Sequence, residues 1–405
     1  MINMTLFGIG AAGNKAAIAA YENKVLDGRH IKLLNTSIKD IPEEYKKSDM
    51  FIPFSSGLGG CGKEYKNGRN AIIKAINTEQ VNFAELLNDD SRQVVLVSSI
   101  EGGTGSGSVP AIAKYFTHLN VPVHVFAFVG FQDEIRGCNN SLRFFKDLPS
   151  SVILHTINNS YFLDYTKNYN KAEQAANLEF CKQIEIIRGG KLIPSQQVID
   201  DTDLYKLNTQ EGYMIINHIP IGGIKSISAF NERVQEKFEN PCYMDTTLSC
   251  KRIGVIINAS ETTQSRIDNS YEIIKRYVGE PLEIYQHIQS NDNDIEEYVD
   301  VICSGMEYPE KGIIDINVRY QDLKSKLNKP AKSFKSIFDN MDIDDDEFGA
   351  DFKIRKMVNP SDIKNIFDDS EEDDDDDEGL VELDDVEDYS SNNNKYTKKS
   401  PMTDY

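Results

Sequence analysis

The stretch MTLFGIGAAGNK (residues 4–15) runs an apolar segment into three glycines, Gly8, Gly10 and Gly13, spaced G-x-G-x-x-G. That spacing suits a buried strand turning sharply into a helix, here one that starts near Ala11. Glycines at such a turn let backbone N–H groups approach phosphate oxygens, with the positive end of the helix behind them. Gly10, Ala11 and Ala12 would supply those N–H groups, and Asn14 and Lys15 could add donors. A tight strand-to-helix turn that binds nothing would use the same glycines, so the rest of the chain has to decide.

Beyond Lys15 the pattern alternates. Apolar runs (IKLLNTS, QVVLVSSI, VPVHVFAFV) are separated by helical stretches (NKAAIAAYENKVL, VPAIAKYFTHL), the βαβ rhythm of a parallel sheet covered on both faces. ILHTIN (153–158) precedes a long helix expected from about Tyr169 to Ile187, stopped by Gly189 and Gly190. Residues 191 to about 327 read as a smaller α/β domain, with strands expected at 252–258 (RIGVIIN) and 313–320 (IIDINVRY) and a helix at 264–278. The expected organisation is a nucleotide-binding domain at 1–167, a central helix at 168–190, a second domain at 191–328 and a tail at 329–405.

The net charge of −21 is unevenly distributed. Residues 331–405 hold 24 acidic and 9 basic residues, a net −15, which leaves −6 for residues 1–330. A tail containing EEDDDDDE (371–378) repels itself and is too poor in apolar residues to fold, so disorder is expected there. Direct DNA binding through that run is not expected. Two copies of K-x-I-F-D-[ND], at 335–340 and 364–369, each precede an acidic stretch and a glycine. They read as docking peptides or as chance similarity in a biased composition. The six cysteines form no C-x-x-C pair, which argues against a zinc site or disulfide framework. No apolar run approaches the roughly 20 residues of a membrane span and no signal peptide is visible, so a cytoplasmic protein without a membrane partner is expected.

Two further glycine loops narrow the ligand. EGGTGSG (101–107) lies between VVLVSSI and a helix. Gly102, Gly103 and Gly105, with the Thr104 and Ser106 hydroxyls, make a second phosphate cradle at a second helix start. SSGLGGCGKEYKNG (55–68), containing Gly60, Cys61 and Gly62, lies between the first two loops. The strand HIKLLNTS ends in Asn35 and Thr36 rather than in the acidic residue that a dinucleotide site would use for ribose. Three such loops suit a triphosphate better than a pyrophosphate shared by two nucleosides, and a Rossmann-type oxidoreductase becomes the distant alternative.

GGTGSG resembles the signature loop of the tubulin/FtsZ superfamily, and the order of its neighbours is similar to that family over residues 1 to about 325. GIGAAGN resembles the family's first phosphate loop, LLNTSIKD its second, and GLGGCG the loop that senses the γ-phosphate. The resemblance implies a GTP-binding α/β domain of Rossmann type, a long central helix and a smaller activation domain. GTP or GDP and Mg²⁺ are the implied ligands, the metal being held mainly by the phosphates. It places Arg136 near ribose and base, with Glu134 or Asp133 standing in for a family glutamate that falls on Gln132. Asn158 and Asn177 match the guanine-reading asparagines. The aromatic residue that stacks on guanine in the family is Glu173 here.

IDDTDLYKL (199–207) resembles the family's D-x-x-D loop, with Asp200 and Asp203 in the matching places. A spacing of three puts both carboxylates on one side of a first helical turn, where they can orient water. Acidic residues are also favoured at a helix start for structural reasons alone. In the family this loop acts on the neighbouring subunit's nucleotide, which implies a head-to-tail filament whose GTPase site is completed in trans. The divergent loops and the long C-terminal extension resemble the TubZ group of plasmid- and phage-segregation GTPases. Their implied partner is a DNA-binding adaptor of the TubR type on a centromere-like site. A cell-division GTPase of the FtsZ type is the alternative.

Overall fold

The structure is a computed structural model. It describes residues 1–327 apart from 55–58, 132, 191, 194, 196–197, 268–269 and 291–295. The acidic run and both K-x-I-F-D segments lie outside the described residues.

The first part of the chain contains β1 (Met4–Ile9), α1 (Gly10–Glu22), β2 (Ile31–Asn35), β3 (Phe51–Pro53), α2 (Tyr65–Asn77) and α3 (Phe83–Leu86). It continues with β4 (Gln93–Ser99), α4 (Gly103–His118), β5 (Val123–Val129), α5 (Ile135–Asp147), β6 (Ile153–Asn158) and α6 (Asn159–Thr166). Then come α7 (Tyr169–Arg188), α8 (Asp201–Asn208), β7 (Gly212–Pro220), α9 (Ile227–Glu239), β8 (Arg252–Ala259) and α10 (Glu261–Gln264). The last described elements are α11 (Ser270–Val278), β9 (Glu283–Ser290), β10 (Tyr298–Met306) and α12 (Glu310–Leu327).

The strands form one ten-stranded sheet in the order β3-β2-β1-β4-β5-β6-β7-β10-β8-β9. Pairing is parallel from β3 across to β6. It narrows to two residue pairs between β6 and β7, Ile153–Gly212 and Leu154–Tyr213. Beyond that seam β10 runs antiparallel between β7 and β8, and β9 is parallel to β8.

Strands covered on both faces must be apolar throughout, and β1 is buried at all six positions. Its alternate residues serve different layers. Phe7 and Ile9 join Ile72 of α2, Ile112 and Phe116 of α4 and Phe144 of α5. Met4 and Leu6 join Ala16, Ala17 and Ala20 of α1 and Phe180, Ile184 and Ile187 of α7. The long helix is the expected one: its inward residues recur at three and four positions, Asn168 caps its start by accepting from Lys171 N at 3.0 Å, and Gly189 ends it at φ +69°.

Two sequence-based expectations need correction. Residues 313–320 are helical, not a strand. Ile313, Ile316, Tyr320 and Leu323 turn to the core at helical spacing, and Asp322 pairs with Arg319 at 3.2 Å and Lys326 at 2.9 Å along the outer face. The β-branched run suggested a strand, but the period of the whole segment is that of a helix. The helix expected at 264–278 is divided into α10, capped by Ser260, and α11. The sequence pattern did not single out β3, β7, β9 or β10. The apolar pattern of the fully buried β10 is interrupted by Asp300, whose Oδ1 lies 2.6 Å from His218 Nδ1 on β7.

No helix among the described residues is long and apolar enough to cross a membrane, and all six cysteines are free thiols.

Candidate functional site

Strand order reverses between β1 and β4, which are hydrogen-bonded neighbours. In open parallel sheets the crevice beyond the carboxyl ends of the strands at such a reversal is where ligands bind. Both phosphate-type loops open there. Gly10 adopts φ +72°, and a Cβ on it would lie 3.2 Å from Gly105 N and 3.5 Å from Thr104 Cβ, so its bare backbone brings the two turns together. Gly13 has a packing role, because a Cβ there would collide with the Val97 carbonyl of β4.

α1 and α4 both begin without a side-chain cap and without an acidic residue in the first turn. α2 and α5 share that lack, whereas α6, α7, α8 and α9 are capped by Asn158, Asn168, Asp200 and Ser226. Two uncapped helix starts side by side leave a concentration of N–H donors and positive potential suited to an oligophosphate. Ala11 is exposed and Ala12 half-buried at the first of them.

The loop containing Gly60, Cys61 and Gly62 borders the same crevice. Space is open above Gly59, Gly60, Gly62 and Gly102. Cys61 is buried, with Sγ 3.5 Å from Thr36 Oγ1, and Thr36 Oγ1 is 2.8 Å from Thr104 Oγ1. Thr36 therefore joins three loops, a role that the NTS stretch resembling the family's second loop had pointed toward without singling this residue out. A cleft of about 290 Å³ lined by Asn35, Thr36, Phe54 and Gly59 adjoins it. The Ser106 hydroxyl turns inward to the Gly102 carbonyl, so only its backbone can face a ligand. Asn14 is buried and donates to Leu34 O at 3.2 Å. Its Oδ1 and the Nδ2 of Asn35, at the same end of β2, are buried with no partner among the described residues, as expected where a polar ligand belongs.

On the next side, Lys63 Nζ is 2.8 Å from both Glu134 carboxylate oxygens, and Arg136 Nε is 3.1 Å from Glu64 Oε1. Arg136 and Glu134 are thus placed at the crevice but tied across it to the loop after Gly62. Asn140 Nδ2 stitches the same junction, donating to Lys63 O at 2.8 Å and Glu101 O at 2.9 Å. Burial first and the Glu101 carboxylate second raise the pKa of the nearby Cys138 thiol, keeping it protonated and unsuited to act as a nucleophile.

Asn158 ends β6, its Oδ1 accepting from Ser160 N at 3.0 Å. Asn177 lies one helical turn beyond Glu173 on α7. Lys15 Nζ, expected near phosphate, is 2.8 Å from Glu173 Oε2, so α1 and α7 are bridged where the family's aromatic would stand. Among the described residues no group of three or more His, Cys, Asp or Glu is placed to hold a metal. A magnesium ion here would take its ligands from phosphate oxygens and water.

Asp200 and Asp203 are not in this crevice. α7 starts beside it, yet its last residue, Arg188, accepts a hydrogen bond at 2.9 Å from Ile2 N, ahead of the opposite end of β1. Twenty helical residues span about 30 Å. The aspartates therefore sit at the far pole of the chain that carries the glycine loops. Asp200 Oδ1 caps α8 by accepting from Asp203 N at 2.8 Å.

No family model matches the chain. The tubulin-like protein TubZ of Clostridium botulinum C phage is 24% identical over 332 residues, 78% of this chain and 82% of that protein. The tubulin-like protein CetZ2 of Haloferax volcanii is 22% identical over 289 residues, covering 68% and 75%. Among solved structures, a GTPγS-form protofilament of Bacillus thuringiensis serovar israelensis TubZ superposes with a TM-score of 0.66 at 15% identity, covering 81% of this chain and 92% of that one. The chain has a tubulin-like fold and is similar in sequence to tubulin-like proteins.

Proposed function

We propose that this chain is a GTPase that assembles head to tail, Asp200 and Asp203 of one subunit completing the nucleotide site of the next. The observation that carries this reading is the separation of the aspartates from the crevice. A helix about 30 Å long stands between them, so the two halves of the chemistry meet only across a contact between copies. The GTPγS-form TubZ protofilament with a similar fold supports it.

In this reading the backbone N–H groups of Gly10, Ala11, Ala12, Gly103, Thr104, Gly105 and Ser106, with Gly102, neutralise phosphate charge, helped by the Thr104 and Thr36 hydroxyls. Gly60, Cys61 and Gly62 close over the terminal phosphate, and Arg136 and Glu134 border the sugar. Asn158, its Oδ1 committed to the cap, presents Nδ2 to guanine O6, and Asn177 presents its amide to the other part of the base edge. The incoming carboxylates orient a water for attack on the γ-phosphorus, releasing GDP and phosphate. Mg²⁺ supplies charge neutralisation when bound. The division at 1–167, 168–190 and 191–328 belongs to the same proposal, and the two-pair seam between β6 and β7 supports it.

GTP turnover per molecule should rise with protein concentration, because dilution separates the half-sites. Turnover per molecule that stays constant from dilute monomer to assembled filament overturns the shared site.

The biological role we propose is segregation of plasmid or prophage DNA, supported by the similarity to a phage TubZ. Cargo would be a basic DNA-binding adaptor of the TubR type, reached by the acidic tail at 329–405 over a Debye length of about 10 Å. A chain ending at Leu327 should hydrolyse GTP but lose salt-sensitive co-sedimentation with adaptor-bound DNA. Undiminished co-sedimentation rejects the tail's role.

A further inference from the structure

Ile193 and Ile199, between α7 and α8, are both held from a strand at the edge of the sheet. His287 of β9 is 1% exposed; its Nδ1 accepts a hydrogen bond from Ile199 N at 3.3 Å, immediately before Asp200. An amide N–H can only donate, so Nδ1 carries the lone pair and the proton sits on Nε2. That nitrogen is 3.0 Å from Gln289 Oε1, which also accepts from Ile193 N at 3.1 Å. With its oxygen so assigned, Gln289 donates through Nε2 to Asn258 Oδ1 at 3.1 Å, and Asn258 donates to Glu296 O at 3.2 Å. The donor and acceptor roles along these bonds follow one from the next. Ile193 and Ile199 are both fastened to it, whereas α8 itself meets solvent at Asp200 and Asp201.

We propose that His287 is the positioning residue of the hydrolytic carboxylates, fixing through Ile199 the height and direction at which Asp200 and Asp203 are presented to the neighbouring subunit. The proposal rests on the reading of those aspartates as the trans-acting pair. A buried, linked polar chain of this kind specifies one arrangement of the backbone it holds. An ångström of displacement at a reacting centre costs up to about 100-fold in rate.

Two substitutions of similar size separate the hydrogen bonds. H287N puts Oδ1 where Nδ1 stood and keeps the acceptor for Ile199 N–H; H287Q puts an amide where Nε2 stood and keeps the link to Gln289 but loses Ile199. At saturating GTP in assembled filaments, H287N should turn over within about 3-fold of wild type. H287Q should fall more than about 10-fold in kcat, with GTP affinity and assembled fraction unchanged. Equal turnover of the two variants, whether kept or lost, overturns the assignment when D203A in the same assay is slow. Wild-type turnover in D203A overturns the shared-site reading and the assignment with it. Amide hydrogen exchange of the unmodified chain gives a measurement independent of any variant. The Ile193 and Ile199 amides should be protected, and open-chain exchange rates at both remove the clamp outright.

Discussion

Lys15 Nζ and Glu173 Oε2 lie 2.8 Å apart, an ion pair between the second turns of α1 and α7 at the edge of the glycine-loop crevice. Both side chains are about half exposed, so the pair contributes little to stability. In the proposed reading its importance is electrostatic, because it sets the charge beside the phosphates. E173Q should tighten GTP binding by roughly 2- to 5-fold and K15Q weaken it by a similar factor, both effects shrinking at high salt. Equilibrium binding at two ionic strengths decides; a change in affinity that ignores salt rejects the charge argument.

Gly10 and Gly102 should respond differently to alanine. At Gly10 the positive φ alone costs about 1–2 kcal/mol, and the added methyl presses on Gly105 and Thr104. G10A should lower thermal stability and GTP affinity together. At Gly102 φ is −76° and nothing lies within 4 Å of a Cβ. G102A should leave the melting temperature unchanged while weakening GTP binding, because its methyl would occupy the phosphates' space. Calorimetry with and without nucleotide distinguishes the two.

Asp200 has two separable duties. D200A loses the cap on α8 and should destabilise by about 1 kcal/mol besides slowing hydrolysis. Asparagine caps as well as aspartate, so D200N should keep stability and still slow hydrolysis. Wild-type turnover in D200N would reduce Asp200 to a cap.

Acid should weaken the fold through a buried histidine pair. His124 Nδ1 of β5 is 3.0 Å from His155 Nε2 of β6, with Phe126 stacked on His155. Burial pushes His124 down to about 3, and burial followed by the neighbouring His124 pushes His155 well below the ordinary value of 6.5. A folded-state pKa below the unfolded one means that the unfolded chain takes up protons first. The stabilisation is complete above about pH 6.5 and is lost as pH falls, at up to about 1.4 kcal/mol per pH unit for each histidine. Denaturant unfolding from pH 7.5 to 5 should show this slope. H124Q, which leaves one of the two, should flatten it; an unchanged slope rejects the pair as its source.

The sequence by itself determined the glycine loops, the long α7 and its glycine stop, and the α/β class, because glycine spacing and helical period act over a few residues and survive without their neighbours. It also placed Asp200 and Asp203 in one turn. It did not reveal that 313–320 is helical, since β-branched residues suit either state until a core face selects the period, nor did it reveal β10, whose polar Asp300 is explained only by His218 on another strand. Only tertiary structure decided that Lys15 answers Glu173, that Thr36 joins three loops, that His287 holds Ile199 from 88 residues away, and that phosphate loops and aspartates stand at opposite poles. These are pairings between segments distant in the chain, and their geometry depends on sheet order, which no local pattern encodes.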